Sequence, residues 1–352
     1  MAHNTVLAPP RAEIFDNRLG YPRWYHDMVN GFGYDATQGG KRRSDVSATS
    51  MLKPLQVLIL LERHGDQVRE DIADQTWRFF GSAAHEASFR AQLRQFDRLK
   101  KAAALAGEPE PVIPWLERRM YAPLITPVGQ IVVSGQADHI DVLSGDTRDL
   151  KFTSAWTAVY RSRDEEWARQ LAIYQWFADW SGVEVSGKGT ICAVFRDWDK
   201  KLAAENPDYP QHDVGFFDFK LASPRATGLW LQNRAAEIIE ARKLSDAELP
   251  PCSSEDMWEK DEKWAVYKTR SQKRATKLFD KEDAAIAFVE ALLEKNPDAY
   301  VEHRPGQRIR CASYCKIAPF CHQYRLYCKE NGIPVPEMPK PEEAEAEPAL
   351  FD

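Results

Sequence analysis

Three charged side chains, Asp138, Asp149 and Lys151, interrupt a segment that otherwise alternates like a β-hairpin. Residues 143–147 (LSGDT) read as the turn, with Asp138 on the first strand and Asp149 and Lys151 on the second. Strand side chains alternate, so Asp149 and Lys151 share one face. Carboxylates suit Mg²⁺ or Mn²⁺, and a neighbouring lysine can orient water and stabilise charge on a phosphate. The hairpin therefore predicts a hydrolytic metal site; the alternative is a solvated strand edge with a surface ion pair.

Other polar residues accompany this hairpin in a fixed order. His85 ends the small-residue run GSAAH in a segment with helical character, and Gly135 precedes Asp138 by three positions. Gln170 and Tyr174 stand four residues apart, which places them on one helical face. Each has an ordinary structural explanation alone, but the ordered set H…GxxD…DxK…QxxxY is far less expected by chance.

This set resembles the motifs of the RecB-like branch of the PD-(D/E)XK nuclease superfamily. It is most similar to phage-type recombination exonucleases and CRISPR adaptation nucleases, and the resemblance covers roughly residues 47–328. It implies an α/β fold with a restriction-endonuclease-like core, in which helices flank a mixed central sheet. An N-terminal helical region and a C-terminal cysteine-rich segment would complete it. The proline that many relatives carry before the first aspartate is replaced here, as in other RecB-like members.

The resemblance also implies roles for individual residues. The metal ligands would be His85, Asp138, Asp149 and the carbonyl oxygen of Leu150, with Glu117 as a further candidate. Lys151 would be the catalytic lysine, and Gln170 and Tyr174 would position the phosphate or that lysine. With Mg²⁺ or Mn²⁺ bound, the site would hydrolyse DNA phosphodiester bonds.

We expect a phage-type exonuclease that processes DNA ends for recombination, acting on linear duplex ends or single strands. A single-strand annealing protein is a further expected partner. Two alternatives stay open. One is a nuclease that trims single-stranded overhangs, like the CRISPR adaptation relatives, and the other is a non-catalytic DNA-binding protein with a cysteine-bound structural metal.

Four of the six cysteines, Cys311, Cys315, Cys321 and Cys328, fall within 18 residues. In the related nucleases, one early and three late cysteines hold an iron–sulfur cluster, but the early position here is Lys53. Cys328 is then the expected fourth ligand, of either zinc or [4Fe–4S], with His303 or His322 as zinc alternatives. The remaining alternative is thiols that pack without metal. Cys192 is expected in the core and Cys252 in a loop.

Composition narrows the class of protein. An apolar share of 43% favours a folded chain, and the sequence has neither a span of about 20 apolar residues nor a signal-peptide pattern. We therefore expect a cytoplasmic protein, in the host cytoplasm if phage-encoded. The net charge of −6 conceals local basic clusters, at residues 41–43 and on a predicted hairpin over 264–279. On that hairpin we expect DNA contacts from Arg270, Lys273, Arg274 and Lys277.

The predicted organisation is an irregular arm (1–45), one nuclease domain (46–330) and an acidic disordered tail (331–352). The domain is expected to comprise four parts: a helical part (46–107), a catalytic core (112–240), the basic hairpin with a helix (258–296) and the cysteine cluster (311–328). Within the core, a helix is predicted from a Ser162–Glu165 capping box to a stop at Gly182.

Overall fold

The computed structural model describes residues 15–31, 44–68 and 70–339. The basic cluster at 41–43 and the acidic tail from 340 onward lie outside the described residues. The described chain forms two compact units. Of the described residues, the first unit comprises 15–31, 44–53 and 70–243, and the second comprises 54–68 and 244–339.

The described residues form both helices and strands, with short 3₁₀ turns between some of them. The α-helices are α1 (Arg23–Gly31), α2 (Ala48–Met51), α3 (Leu55–His64), α4 (Thr76–Ala106), α5 (Ala155–Tyr160), α6 (Asp164–Trp180), α7 (Lys200–Glu205), α8 (Pro224–Ala241), α9 (Ser254–Met257), α10 (Glu282–Leu293), α11 (Ile309–Ser313) and α12 (His322–Glu330). The strands are β1 (Phe15–Asp16), β2 (Val46–Ser47), β3 (Glu70–Asp71), β4 (Trp115–Thr126), β5 (Gly129–Ile140), β6 (Thr147–Thr153), β7 (Lys188–Phe195), β8 (Val214–Lys220), β9 (Glu259–Lys260), β10 (Lys263–Tyr267), β11 (Lys277–Phe279), β12 (Tyr300–Arg304) and β13 (Gln307–Arg308).

A six-stranded sheet is the centre of the first unit. Strand β5 pairs with β4 along one edge and with β2 and β6 along the opposite edge. Strands β7 and β8 continue the sheet beyond β6. The β4–β5, β5–β6 and β7–β8 pairs are antiparallel, whereas β6 and β7 are parallel. A parallel pair needs a crossover, and α5 with α6 supplies it. The predicted α/β class, a mixed central sheet flanked by helices, is confirmed.

Helix α6 is the most deeply buried helix of this unit, and it approaches β5 closely at one glycine. A Cβ added to Gly135 would lie 2.7 Å from Cε2 of Phe177, so a side chain there would push α6 away. The helix begins at Asp164, which leaves Ser162 one residue before the N-cap; the predicted capping box is therefore wrong. The stop at Gly182 is confirmed by its left-handed φ of 87°.

Helix α4 is a single helix of 31 residues, and Gly107 ends it with a left-handed φ of 69°, as the sequence predicts. It carries His85. The described part of the arm is not irregular throughout, because it contains β1 and α1 and because Phe15 pairs with Glu70.

The second unit combines a small sheet with short helices. Strands β11, β10 and β12 form an antiparallel sheet on which α10 packs through Val266, Ala285 and Val289. The predicted basic hairpin is present as β10 and β11, with residues 268–276 as its loop. Helix α3 belongs to this unit, so the predicted helical part over 46–107 is divided between two bodies.

Candidate metal centre

The β4–β5 ladder brings Glu117 and Asp138 together. It pairs Leu116 with His139 and Arg118 with Ala137. The two residues between them, Glu117 and Asp138, face each other without a ladder pairing of their own. At that point the backbone of Glu117 has a φ of 45°, in the left-handed region that residues other than glycine rarely adopt. Such a conformation costs about 1–3 kcal/mol and persists only where neighbouring contacts hold it. The strain therefore falls on a residue that the sequence named as a candidate ligand.

His85 reaches both carboxylates from α4. Its Nδ1 lies 3.2 Å from Oδ2 of Asp138 and 3.5 Å from Oε1 of Glu117. One ligand atom from each of the three half-buried residues lies within 4.8 Å of the others. Hydrogen bonding to Asp138, and then to Glu117, raises the pKa of His85 to about 10.

The charge balance at His85 shows which kind of ion this cluster can bind. At neutral pH the imidazolium places one positive charge between two carboxylates. A divalent cation at the same place would meet two carboxylate oxygens and, once the proton leaves, a neutral imidazole nitrogen. That donor set suits Mn²⁺ or Mg²⁺, so the residues present fit the expected metal.

Asp149 and Lys151 form an ion pair next to this cluster. Nζ of Lys151 lies 2.7 Å from Oδ2 of Asp149, a buried oxygen that accepts no well-directed hydrogen bond from the described residues. Burial raises the pKa of Asp149 to about 6, although the neighbouring ammonium opposes the shift. The backbone links the two groups, because the Leu150 amide donates to Oδ2 of Asp138 over 2.8 Å. Asp149 itself stands outside the 4.8 Å group.

The expected role of Leu150 was that of a carbonyl ligand. The contact that joins Leu150 to the cluster is the donation from its amide, which fixes the orientation of the Asp138 carboxylate.

Gln170 and Tyr174 are both buried on α6, and Nε2 of Gln170 donates to the Tyr174 hydroxyl over 2.8 Å. Burial, reinforced by the charges of Asp149 and Asp138, raises the pKa of Tyr174 far above its usual value. Tyr174 is therefore a neutral phenol within electrostatic reach of the carboxylates. The helical spacing placed these two residues together as expected.

Sequence reasoning missed two residues that support Glu117. Nε2 of Gln136 donates to Oε2 of Glu117 over 2.8 Å, and Nη2 of Arg119 donates to Oε1 of Gln136 over 2.6 Å. Strand alternation could have identified both residues. Arg119 lies two positions from Glu117 and Gln136 two positions from Asp138, so each shares a strand face with a candidate ligand.

In the second unit, four cysteines line one cavity: Cys252, Cys311, Cys315 and Cys321. This set differs from the predicted one. Cys328 is completely buried but does not line the cavity, and Cys252, expected to be a plain loop thiol, takes part instead. Oε1 of Gln56 accepts from the thiols of Cys252 at 3.6 Å and Cys321 at 3.5 Å. Neither His303 nor His322 is among the described residues that line the cavity.

The four thiols form a donor set for a metal. Burial, and then the proximity of Cys321, raises the pKa of Cys252 to about 12; burial and Cys315 do the same for Cys311. Such thiols ionise when a cation compensates the charge. Four cysteine thiolates are the ligand type that both structural zinc and iron–sulfur clusters take.

The four predicted DNA-contact residues lie on the hairpin of the second unit. Arg270, Lys273 and Arg274 are exposed in its loop, and Lys277 begins β11 with its Nζ over the ring of Phe279. Among the described residues, none of the four has a carboxylate within 4.0 Å.

No family model and no curated protein matches the chain. Among solved structures it is similar to one described as "Crystal structure of SSO0001", at 10% sequence identity. The match covers 61% of this chain and 83% of that chain, with a TM-score of 0.37. A likeness this low carries no argument about fold or function. Within the described ranges, no helix is both long and apolar enough to cross a membrane.

Proposed function

We propose that this chain is a metal-dependent DNA nuclease of the RecB-like PD-(D/E)XK type, with its catalytic core in the first unit. The supporting observation is one cluster in which His85, Glu117 and Asp138 converge beside the Asp149–Lys151 ion pair. The alternative, a solvated strand edge with a surface ion pair, does not account for a buried aspartate, a strained glutamate and a histidine between two carboxylates. A hydrolytic metal site gives each of these three features a role.

Each side chain has a chemical task in this proposal. A divalent ion at His85, Glu117 and Asp138 would supply positive charge for phosphate binding and for ionising water. Lys151 stabilises the negative charge that develops on the attacked phosphate, and Asp149 holds its ammonium in place. A water molecule gives up one proton to solvent as its oxygen bonds to phosphorus, the bond to the leaving sugar oxygen breaks, and that oxygen takes a proton from solvent. Tyr174 and Gln170 close the site on the side of α6.

We further propose that the chain acts on DNA ends as an exonuclease. Exposed cations on the hairpin loop of the second unit support DNA binding, since backbone contacts from lysine and arginine dominate the affinity for nucleic acid. Binding through these side chains should weaken steeply as salt concentration rises.

The decisive experiment compares wild type, Lys151→Ala and Lys220→Ala on end-labelled linear DNA and on circular DNA, with Mg²⁺ or Mn²⁺. Lys220 is an exposed lysine of the same sheet and serves as the matched control. We expect metal-dependent loss of linear DNA, and a fall of about 100-fold or more with Lys151→Ala alone. No cleavage by wild type with either metal, or full cleavage by Lys151→Ala, would refute the proposal. Cutting of circular DNA would refute exonuclease action while leaving nuclease action.

We also propose that the second unit holds a metal through Cys252, Cys311, Cys315 and Cys321. Among the described residues, no three of their sulfur atoms come within 4.8 Å of one another, which is wider than one tetrahedral zinc ion needs. That spacing favours an iron–sulfur cluster.

A further inference from the structure

Exposed aromatic rings stand where β6 leaves the candidate metal centre. Helix α5 follows β6 after one residue and carries Trp156 and Tyr160. Their rings stack with centroids 5.8 Å apart and an interplanar angle of 21°. Trp156 is 40% exposed and Tyr160 is 70% exposed. Two large rings that stack on each other yet remain in solvent offer a flat surface to a planar ligand.

A cation and a third ring are linked to the end of β6, the strand that leads into α5. The Arg196 amide donates to the carbonyl of Thr153, the last residue of β6, over 3.0 Å. Its guanidinium lies 5.5 Å from the ring centre of Trp77, which is 56% exposed. Within the described ranges, Arg196 has no carboxylate within 4.0 Å. Arg196 is exposed, so a phosphate can reach the guanidinium, although the Asp197 carboxylate also acts on it electrostatically.

These residues lie close to the catalytic strand. Thr153 follows Lys151 by two residues on β6, a distance of about 7 Å along a strand. Trp77 precedes His85 on α4 by eight residues, about 12 Å along a helix. The rings and Arg196 therefore begin about one nucleotide's length beyond the residues that would meet the scissile phosphate.

A groove on the other side of α5 extends the apolar surface. It has a volume of about 310 Å³ and is lined by Ala158 and Val159 of α5 and by Tyr209. The ring of Tyr209 meets that of Trp156 edge to face, with centroids 5.5 Å apart. A volume of this size is at the lower end of small-ligand pockets and admits one planar base.

We propose that Trp77, Trp156, Tyr160 and Arg196 form a stacking platform for the unpaired bases of single-stranded DNA. Bases in a duplex are already stacked on each other, so only an unpaired strand can offer its faces to these rings. The platform would make a single-stranded end the substrate of the centre, with Arg196 at a neighbouring phosphate. This assignment rests on the proposed nuclease function for its biological meaning, although the binding can be measured separately.

The test measures binding of a labelled oligodeoxythymidine and of a duplex of equal length by fluorescence anisotropy. All proteins carry Asp138→Asn, so hydrolysis does not enter the result. Tyr160→Ala and the double variant Trp156→Ala/Tyr160→Ala should weaken single-strand binding about 5- to 100-fold, and duplex binding by less than about twofold. Tyr160→Phe keeps the ring and should bind like its parent.

Trp180→Ala is the matched control. Trp180 is 58% exposed and ends α6, whose Gln175 donates to the carbonyls of Gly145 and Lys188 at the other end of β6 and β7. Its loss should not change binding.

Unchanged single-strand affinity in both alanine variants would overturn the platform. An equal loss for duplex, or the same loss with Trp180→Ala, would overturn it too. Failure of the nuclease proposal looks different, because single-strand binding would depend on Tyr160 while wild type cut no DNA.

Discussion

The two candidate metal-binding regions are built in different ways. In the first unit, Glu117, Asp138 and Asp149 stand on three adjacent strands, and one helix adds His85. In the second unit, the four cysteines of the cavity come from a loop, a short helix and the connections around a 3₁₀ turn. Strand pairing fixes the positions of the first set, whereas the path of irregular backbone fixes the second.

This difference determines how each region should respond to substitution. A site on a sheet keeps its backbone when one ligand is removed, because the hydrogen-bonded ladder remains. A site made of loops depends on the bound group for its own order.

Asp138→Asn should lower the rate of DNA hydrolysis about a thousandfold or more, equivalent to about 4 kcal/mol in the barrier. The amide retains an oxygen for the Leu150 amide but no longer presents a negative charge to His85, so at neutral pH the thermal unfolding midpoint should fall modestly while the sheet stays folded. Asp218→Asn is the control, because Asp218 is an exposed aspartate of the same sheet that accepts from Thr190. Retained hydrolysis in Asp138→Asn, or a collapse of stability without added metal, would contradict a sheet-built site.

Cys252→Ser should abolish metal binding in the second unit and lower its unfolding temperature, whereas Cys328→Ser should leave the metal content unchanged. Cys252 lines the cavity and Cys328 does not. Metal analysis and the visible absorption of protein purified without oxygen measure the outcome, since an iron–sulfur cluster is brown and zinc is colourless. Metal loss on Cys328→Ser but not on Cys252→Ser would restore the ligand set expected from the sequence.

Gly135→Ala should destabilise the first unit by about 1–3 kcal/mol, because the added Cβ would meet the ring of Phe177 and force α6 away. Gly81→Ala is the matched control. Gly81 lies within α4 with open space around a Cβ, so alanine should stabilise by up to about 1 kcal/mol. Chemical denaturation measures both. Equal stability of the two variants would show that β5 and α6 tolerate a wider separation.

The sequence predicted the first region well because its signals are local and periodic. Alternation placed Asp149 and Lys151 on one face, and a spacing of four placed Gln170 with Tyr174. Periodicity alone could not bring His85 to Glu117 and Asp138, since that contact depends on the path of α4 over the sheet; only the family resemblance led us to expect these residues at one site. Periodicity also gave no sign of the left-handed φ at Glu117, which tertiary contacts impose.

The cysteines show the opposite case. Clustering in the sequence suggested that Cys328 would join Cys311, Cys315 and Cys321, yet helix α12 carries Cys328 away from the cavity. Cys252 stands 59 residues before Cys311 in a proline-containing loop. A loop path has no period from which such an approach can be read.

Gln136→Ala should raise the Mg²⁺ or Mn²⁺ concentration needed for half-maximal hydrolysis about tenfold, with little change in the rate at saturating metal. Gln136 donates a hydrogen bond to Glu117 but lies outside the group of three candidate ligands. Its removal therefore leaves the Glu117 carboxylate less firmly held without taking away a metal ligand. Gln130→Ala, an exposed glutamine of the same strand, should leave the metal requirement unchanged. An unchanged requirement in Gln136→Ala would mean that the β4 backbone alone positions Glu117. A fall in the saturated rate would instead place Gln136 beside the reacting phosphate, because a residue that acts only through Glu117 is compensated once metal fills the site.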